Sequence, residues 1–91
     1  VAFELILSGR VQGVGCRYYC AHVGNSLNIH GSATNLPGGS VRVIAETDSK
    51  LNAEKYAAAL RDNIFGIHFA GRIISVSISE ISIVPSGDYV W

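Results

Sequence analysis

Between Ser8 and Arg17 the hydrophobic period of the chain changes. Before this stretch Phe3, Leu5 and Leu7 alternate with Glu4, Ile6 and Ser8, the pattern of a strand with one buried face. After it, residues 17 to 27 read as a helix. The change is made across a short loop carrying Gly9, Gly13 and Gly15, where glycine permits positive φ and close approach of a ligand to the backbone. Free N–H groups leading into a helix N-terminus form a ready anion site. Arg17 stands at that junction with a planar fork of donors suited to a phosphate. The same composition also suits a plain strand-to-helix turn with a solvated arginine.

Along the first helix Cys16, Cys20, Val23 and Leu27 form a core-facing stripe, Gly24 weakens the helix, and Asn28 ends it in a left-handed conformation. The two cysteines read as small buried apolar residues in a reducing compartment. A reactive Cys16, near the helix start and beside Arg17, is the alternative. A metal site lacks further Cys or His at suitable spacing, and a bridge between the pair would need unusual local geometry. His22, His30 and His68 share no spacing and read as surface or satisfied interior residues.

Residues 29 to 35 form a poorer strand, polar at Ser32 and Thr34. Leu36-Pro37-Gly38-Gly39 places Pro and Gly as a type II turn requires. Residues 40 to 46 continue as the second strand of a hairpin, with Val41, Val43 and Ala45 on one face. Thr47-Asp48-Ser49 caps a second helix over residues 50 to 64, with an apolar stripe of Ala53, Tyr56, Ala57, Leu60 and Ile64 and its end at Gly66. Ile74, Val76 and Ile78 then alternate with serines, and Ile81 and Ile83 follow in the opposite phase, which predicts a bulge near Ser79 and Glu80. After the break at residues 85 to 88, Tyr89-Val90-Trp91 reads as a short edge strand. The order β-α-β-β-α-β with a short C-terminal strand predicts an α+β, ferredoxin-like sandwich: one antiparallel sheet with both helices on one face. Residues 1–91 read as a single domain.

Composition narrows the function. Lys plus Arg and Asp plus Glu number seven each, so no basic field collects nucleic acid or an anionic membrane. The 48% hydrophobic content indicates a packed domain, yet the apolar runs are too short to span a bilayer. A cytoplasmic location follows from the missing signal pattern and the few cysteines. An RNA-recognition module of the same topology would carry aromatics on its central strands, and Val41-Arg42-Val43-Ile44-Ala45 has none.

Two blocks carry a family resemblance. Gly9-Arg10-Val11-Gln12-Gly13-Val14-Gly15-Cys16-Arg17 resembles the acylphosphatase signature: Gly-x-Val-Gln-Gly-Val, a variable residue, an aromatic and Arg. Gly31-Ser32-Ala33-Thr34-Asn35-Leu36-Pro37-Gly38-Gly39-Ser40-Val41 resembles the family's second block, in which Trp-Val follows the first glycine and Asp precedes a later one. Cys16, Ser32, Ala33 and Gly38 depart from those patterns, and Asn28 stands where a glycine is common. The resemblance implies a ferredoxin-like, monomeric hydrolase of the carboxyl–phosphate bond of small-molecule acyl phosphates, independent of metal and cofactor. It places the catalytic roles on Arg17 and Asn35 and the phosphate cradle on the backbone of Gln12, Gly13, Val14, Gly15, Cys16 and Arg17. It also admits a second reading, a phosphate- or carbamoyl phosphate-binding module without turnover.

Overall fold

The structure, a computed structural model, describes residues 2–91. Strands β1 (Ala2–Arg10), β2 (His30–Asn35), β3 (Val41–Glu46), β4 (Arg72–Ile81) and β5 (Tyr89–Val90) form one antiparallel sheet in the order β4-β1-β3-β2-β5. Helices α1 (Cys16–Ser26) and α2 (Lys50–Asp62) follow β1 and β3. Phe3, Leu5 and Leu7 of β1 stand opposite Ala45, Val43 and Val41 of β3, which in turn face Gly31, Ala33 and Asn35 of β2. Period-two alternation sets all nine on one side of the sheet. Asn35 is thus the polar end of an otherwise apolar row.

Both helices pack on that side. Cys16, Tyr19, Cys20 and Val23 of α1 are buried there, with Ala53, Tyr56, Ala57 and Leu60 of α2. Removing a side chain such as Leu5 or Leu60 from water contributes about 1.5–3 kcal/mol. The helices are also tied reciprocally. The Tyr19 hydroxyl donates to the Leu60 carbonyl at 2.6 Å, and the Tyr56 hydroxyl donates to the Cys20 carbonyl at 2.6 Å. These bonds satisfy polar groups that burial would otherwise leave costly.

The helix ends follow local chemistry. The Ser49 hydroxyl accepts from the Asn52 N–H at 3.1 Å and caps α2. Asn28 is left-handed at φ 58, while the Asn28 and Ile29 N–H groups donate to the Asn25 and Gly24 carbonyls at 3.1 and 2.8 Å. That pair of bonds is a Schellman closure. The second helix is shorter than its stripe predicts. It stops at Asp62 because Asn63 turns left-handed, at φ 49, and its side-chain amide pairs with both backbone groups of Ile67 at 2.7 and 2.9 Å. Ile64 therefore lies outside the helix and is exposed, and Gly66 belongs to the next turn.

The bulge is also displaced. Pairing of β1 with β4 runs without a break through Ser79 and Glu80 and shifts instead between Ser8 and Gly9, opposite Ile73 and Ser75. Ile74 is the extra residue. Gly9, at φ 131, lies so close to Arg72 and Ile74 that a β-carbon there would strike their backbone. The extra residue pushes Ile74 out to solvent and turns Ile73 into the core.

Since β4 and β5 lie at opposite edges, residues 82–88 must cross the face of the sheet that carries no helix. Arg42 Nη2 donates to the Ser86 carbonyl and the Asp88 N–H donates to Thr34 Oγ1, each at 3.1 Å. Gly87 rests directly on the Ser32 side chain. Ser32 and Ile44 are buried on this face. Trp91 then exchanges backbone bonds with Gly31 at 3.0 and 3.2 Å and donates from its indole to the Ile29 carbonyl at 2.8 Å.

Candidate active site

The strand-to-helix loop is held from both sides. On one side the Ala70 N–H donates to the Val14 carbonyl at 3.1 Å. On the other, the Gln12 side-chain amide donates to the Leu36 carbonyl at 2.7 Å and to the Ser40 carbonyl at 2.8 Å. Those two carbonyls flank the predicted turn, where Gly38 is at φ 95 and the Gly39 N–H closes on the Leu36 carbonyl at 3.3 Å. Gln12 therefore bridges the loop and the hairpin that presents Asn35. Within the loop Gly13 and Gly15 are left-handed, at φ 71 and 83. A residue with a β-carbon costs about 1–2 kcal/mol more in that conformation.

Gly15 is the N-cap of α1. No side chain caps the helix and its first turn holds no acid. The first intrahelical bond runs from the Tyr19 N–H to the Gly15 carbonyl at 3.0 Å. The N–H groups of Cys16, Arg17 and Tyr18 consequently have no intrahelical acceptor, at the end of the helix that carries partial positive charge.

These groups surround a cavity of about 160 Å³. Gly13, Gly15, Cys16 and Arg17 line it from the loop and α1, and Asn35 lines it from the end of β2. Arg17 and Asn35 are both half-buried, and neither side chain has a hydrogen-bond or ion-pair partner among the described residues. Gln12 and Val14 do not line the cavity. Their backbone was the part expected in the cradle; of their side chains, Gln12 makes the bridging bonds and Val14 lies against Gly71. Val11, Tyr18 and Tyr89 complete the lining and were not singled out from the sequence. Tyr89 arrives through pairing of β5 with β2, Ala33 standing opposite it. The three histidines are exposed and none lines the cavity.

A larger cavity, about 580 Å³, lies at the C-terminal end of α2, lined by Leu60, Arg61, His68 and Arg72 among others. It shares no lining residue with the first, and Arg61 there is already paired with Asp62 at 3.3 Å. Size alone does not make it the better candidate, because the uncapped helix start and the unpartnered Arg17 and Asn35 converge on the smaller one.

The cysteines are both free and buried, with their sulfurs 3.9 Å apart. Hydrogen bonding from Cys20 holds the Cys16 thiol below its ordinary range, against the upward push of burial. The same hydrogen bond and complete burial raise Cys20 well above its own. Burial likewise pushes the Tyr19 hydroxyl up to about 12.

A family model, acylphosphatase, matches residues 3–86. An acylphosphatase of Treponema denticola is 38% identical over 80 residues, covering 88% of this chain and 80% of that protein. One of Archaeoglobus fulgidus is 39% identical over 61 residues, 67% of each chain. The crystal structure of acylphosphatase from Bacillus subtilis superposes with a TM-score of 0.72 at 21% identity, covering 97% of this chain and 92% of that one. The superposition shows the fold, while the family model and the identities over most of the chain show descent, and together they place the chain in the acylphosphatase family of hydrolases.

Proposed function

We propose that the chain hydrolyses the carboxyl–phosphate bond of small acyl phosphates at the cavity between the 11–17 segment and Asn35. One observation carries the reading: an uncapped helix start, an unpartnered arginine and an unpartnered amide converge on a space of phosphate size. The phosphoryl oxygens accept from the backbone N–H groups of Gly15, Cys16 and Arg17, while the Arg17 guanidinium neutralises the charge that remains. The carboxylate is a good leaving group, so the chain needs chiefly to hold the phosphoryl group and a water in line. Asn35 offers a donor and an acceptor and orients that water.

Among the described residues no carboxylate or imidazole belongs to the cavity lining. A phosphate oxygen of the substrate therefore takes the water's proton. A pH–rate profile governed by a protein base near neutrality would overturn that step.

The test is hydrolysis of benzoyl phosphate in EDTA by the wild type and by Arg17→Ala and Asn35→Ala proteins shown to be folded. Each substitution is expected to lower the rate on the order of 10²-fold or more, the scale of a preorganised electrostatic group. Phosphate binding without turnover by the wild type would instead identify the binding-module reading.

A further inference from the structure

The proposed hydrolysis uses the backbone N–H of Cys16 and leaves two thiols without a task. Cys16 opens α1 and lines the anion cavity, and Cys20 lies one turn further on, fully enclosed by the core. Their 3.9 Å separation is sulfur–sulfur contact. Both side chains are buried in the core, but Cys16 is also one of the residues that line the cavity, which two inert core residues would not require. Cys16 sits in the first turn of an uncapped helix, where the partial positive charge favours a thiolate. The hydrogen bond with Cys20 acts in the same direction, against the opposing push of burial. Cys20 has no opening of its own to solvent; its neighbours are Cys16 and the Tyr56 hydroxyl, which bonds its carbonyl.

We propose that Cys16 is an oxidative modification site, reached by a peroxide through the anion cavity, with Cys20 as its resolving thiol. In the first step the Cys16 thiolate attacks one peroxide oxygen. The O–O bond breaks, a sulfenic acid forms, and the departing hydroxide takes up a proton as water. In the second step the Cys20 sulfur attacks the Cys16 sulfur. An S–S bond forms, the S–O bond breaks, and the released hydroxide takes the Cys20 proton. The two thiols supply two electrons, and one hydrogen peroxide becomes two waters.

The sulfurs must then close from 3.9 Å to about 2.05 Å. Cys16 and Cys20 belong to the first turns of one helix, so the closure is made by distorting the turn that carries the N–H groups of Cys16 and Arg17. The oxidised chain consequently holds phosphate poorly and turns over slowly. That consequence rests on the proposed function; the thiol chemistry does not.

The experiment exposes the reduced full chain to hydrogen peroxide, with and without inorganic phosphate, and reads intact mass after alkylation in denaturant. The wild type is expected to lose two hydrogen atoms and both alkylatable thiols, reversibly with dithiothreitol, and phosphate in the cavity slows the reaction. Cys20→Ala is expected to stop at a sulfenic acid on Cys16, captured by dimedone and mapped by peptide mass. Benzoyl phosphate turnover of the wild type is expected to fall about tenfold or more as the disulfide accumulates, the scale of a displaced reactive geometry. The modification site is overturned if both thiols stay alkylatable at a dose that oxidises the unfolded chain, if Cys20 is oxidised first, or if the disulfide joins two chains. Full turnover by the disulfide form overturns its effect on the cradle. A reduced protein without turnover that still forms the internal disulfide would sink the hydrolysis reading and leave the modification site standing.

Discussion

Replacing Gln12 tests whether the site depends on a bridge between its two halves. The Gln12 amide makes two hydrogen bonds, at 2.7 and 2.8 Å, to carbonyls on either side of the 36–39 turn. Each such bond contributes about 0.5–1.5 kcal/mol net. Both carbonyls keep a second donor, the Gly39 N–H on Leu36 and the Leu36 N–H on Ser40, so Gln12→Ala leaves no orphaned acceptor. The expected loss is therefore about 1–2 kcal/mol, read as a Tm lowered by roughly 5–15 °C for a domain of this size. On the proposed reading the effect on rate is larger, because the bridge sets Asn35 against the cradle and a shift near 1 Å costs on the order of 10²-fold. Gln12→Glu discriminates further. It keeps the shape but sets a carboxylate against two carbonyl oxygens, so at pH 7 it is expected to be less stable and less active than Gln12→Ala. Repulsion raises the folded-state pKa of that carboxyl above its unfolded value of about 4.3. The penalty is absent below that value and grows as pH rises through it, so the variant regains stability on acidification. Urea unfolding at pH 4 to 7, beside benzoyl phosphate kinetics, reads both effects. If Gln12→Ala and Gln12→Glu behave alike, or either matches the wild type in rate, the bridging role is wrong.

Other outcomes follow from the packing and the loop. Tyr19→Phe removes a buried 2.6 Å bond to the Leu60 carbonyl and is expected to cost about 1–3 kcal/mol in urea unfolding. Because burial pushes the Tyr19 hydroxyl up to about 12, its neutral form is favoured by folding. The stability it contributes is complete below the unfolded value of about 10 and is lost as pH rises from there towards about 12. A Tyr19→Phe protein should show a shallower decline over that range. Gly24→Ala gains about 1 kcal/mol in helix propensity, yet its β-carbon would lie 2.6 Å from the Trp91 indole nitrogen. Net destabilisation with a red-shifted Trp91 emission is expected, and a more stable protein would refute the packing role. Gly15→Ala meets open space but must adopt φ 83, so a loss of about 1–2 kcal/mol is expected by thermal unfolding.

Much of this was legible because it is local. Alternation marked β1 and the hairpin, Pro37 and Gly38 marked the turn, Ser49 marked the start of α2, and Asn28 marked the end of α1. Arg17 stood out at the junction of the glycine loop and the helix, Asn35 came from the resemblance, and the structure brings both to one cavity. What escaped was decided at long range. Tyr19 lies three residues after Cys16 and belongs to a wider apolar face than the stripe of Cys16, Cys20, Val23 and Leu27, so its burial follows from the helical period. The phase change along β4 was visible, but its position was not. The extra residue is chosen by Gly9 on the neighbouring strand, which no inspection of residues 72–83 discloses. Tyr89 reaches the cavity only because the tail pairs with β2, and nothing in its immediate neighbours says so. The Asn63 cap preceded the expected glycine stop because its amide could satisfy both backbone groups of Ile67.

The departures from the family pattern fall where packing can be rebuilt from elsewhere. At Ser32 the pattern has tryptophan, and here the space beside that small side chain is filled by Gly87 in the crossing over the helix-free face. Trp91 occupies the other side of the same strand end, lodged against Gly24 and Gly31, where a β-carbon on either glycine would crowd its ring. Apolar mass is thus delivered by the tail and received by glycines, so these substitutions belong together and are not independent losses. The cradle tolerates change on a different principle. Backbone N–H groups are supplied by any residue other than proline, so an aromatic can give way to Cys16 without removing a donor. Gly13 and Gly15 are held by their left-handed conformations, and on the proposed reading Arg17 and Asn35 are held by side-chain chemistry. On the proposed reading the cradle uses only the backbone of residue 16, whose side chain answers instead to the core and to Cys20.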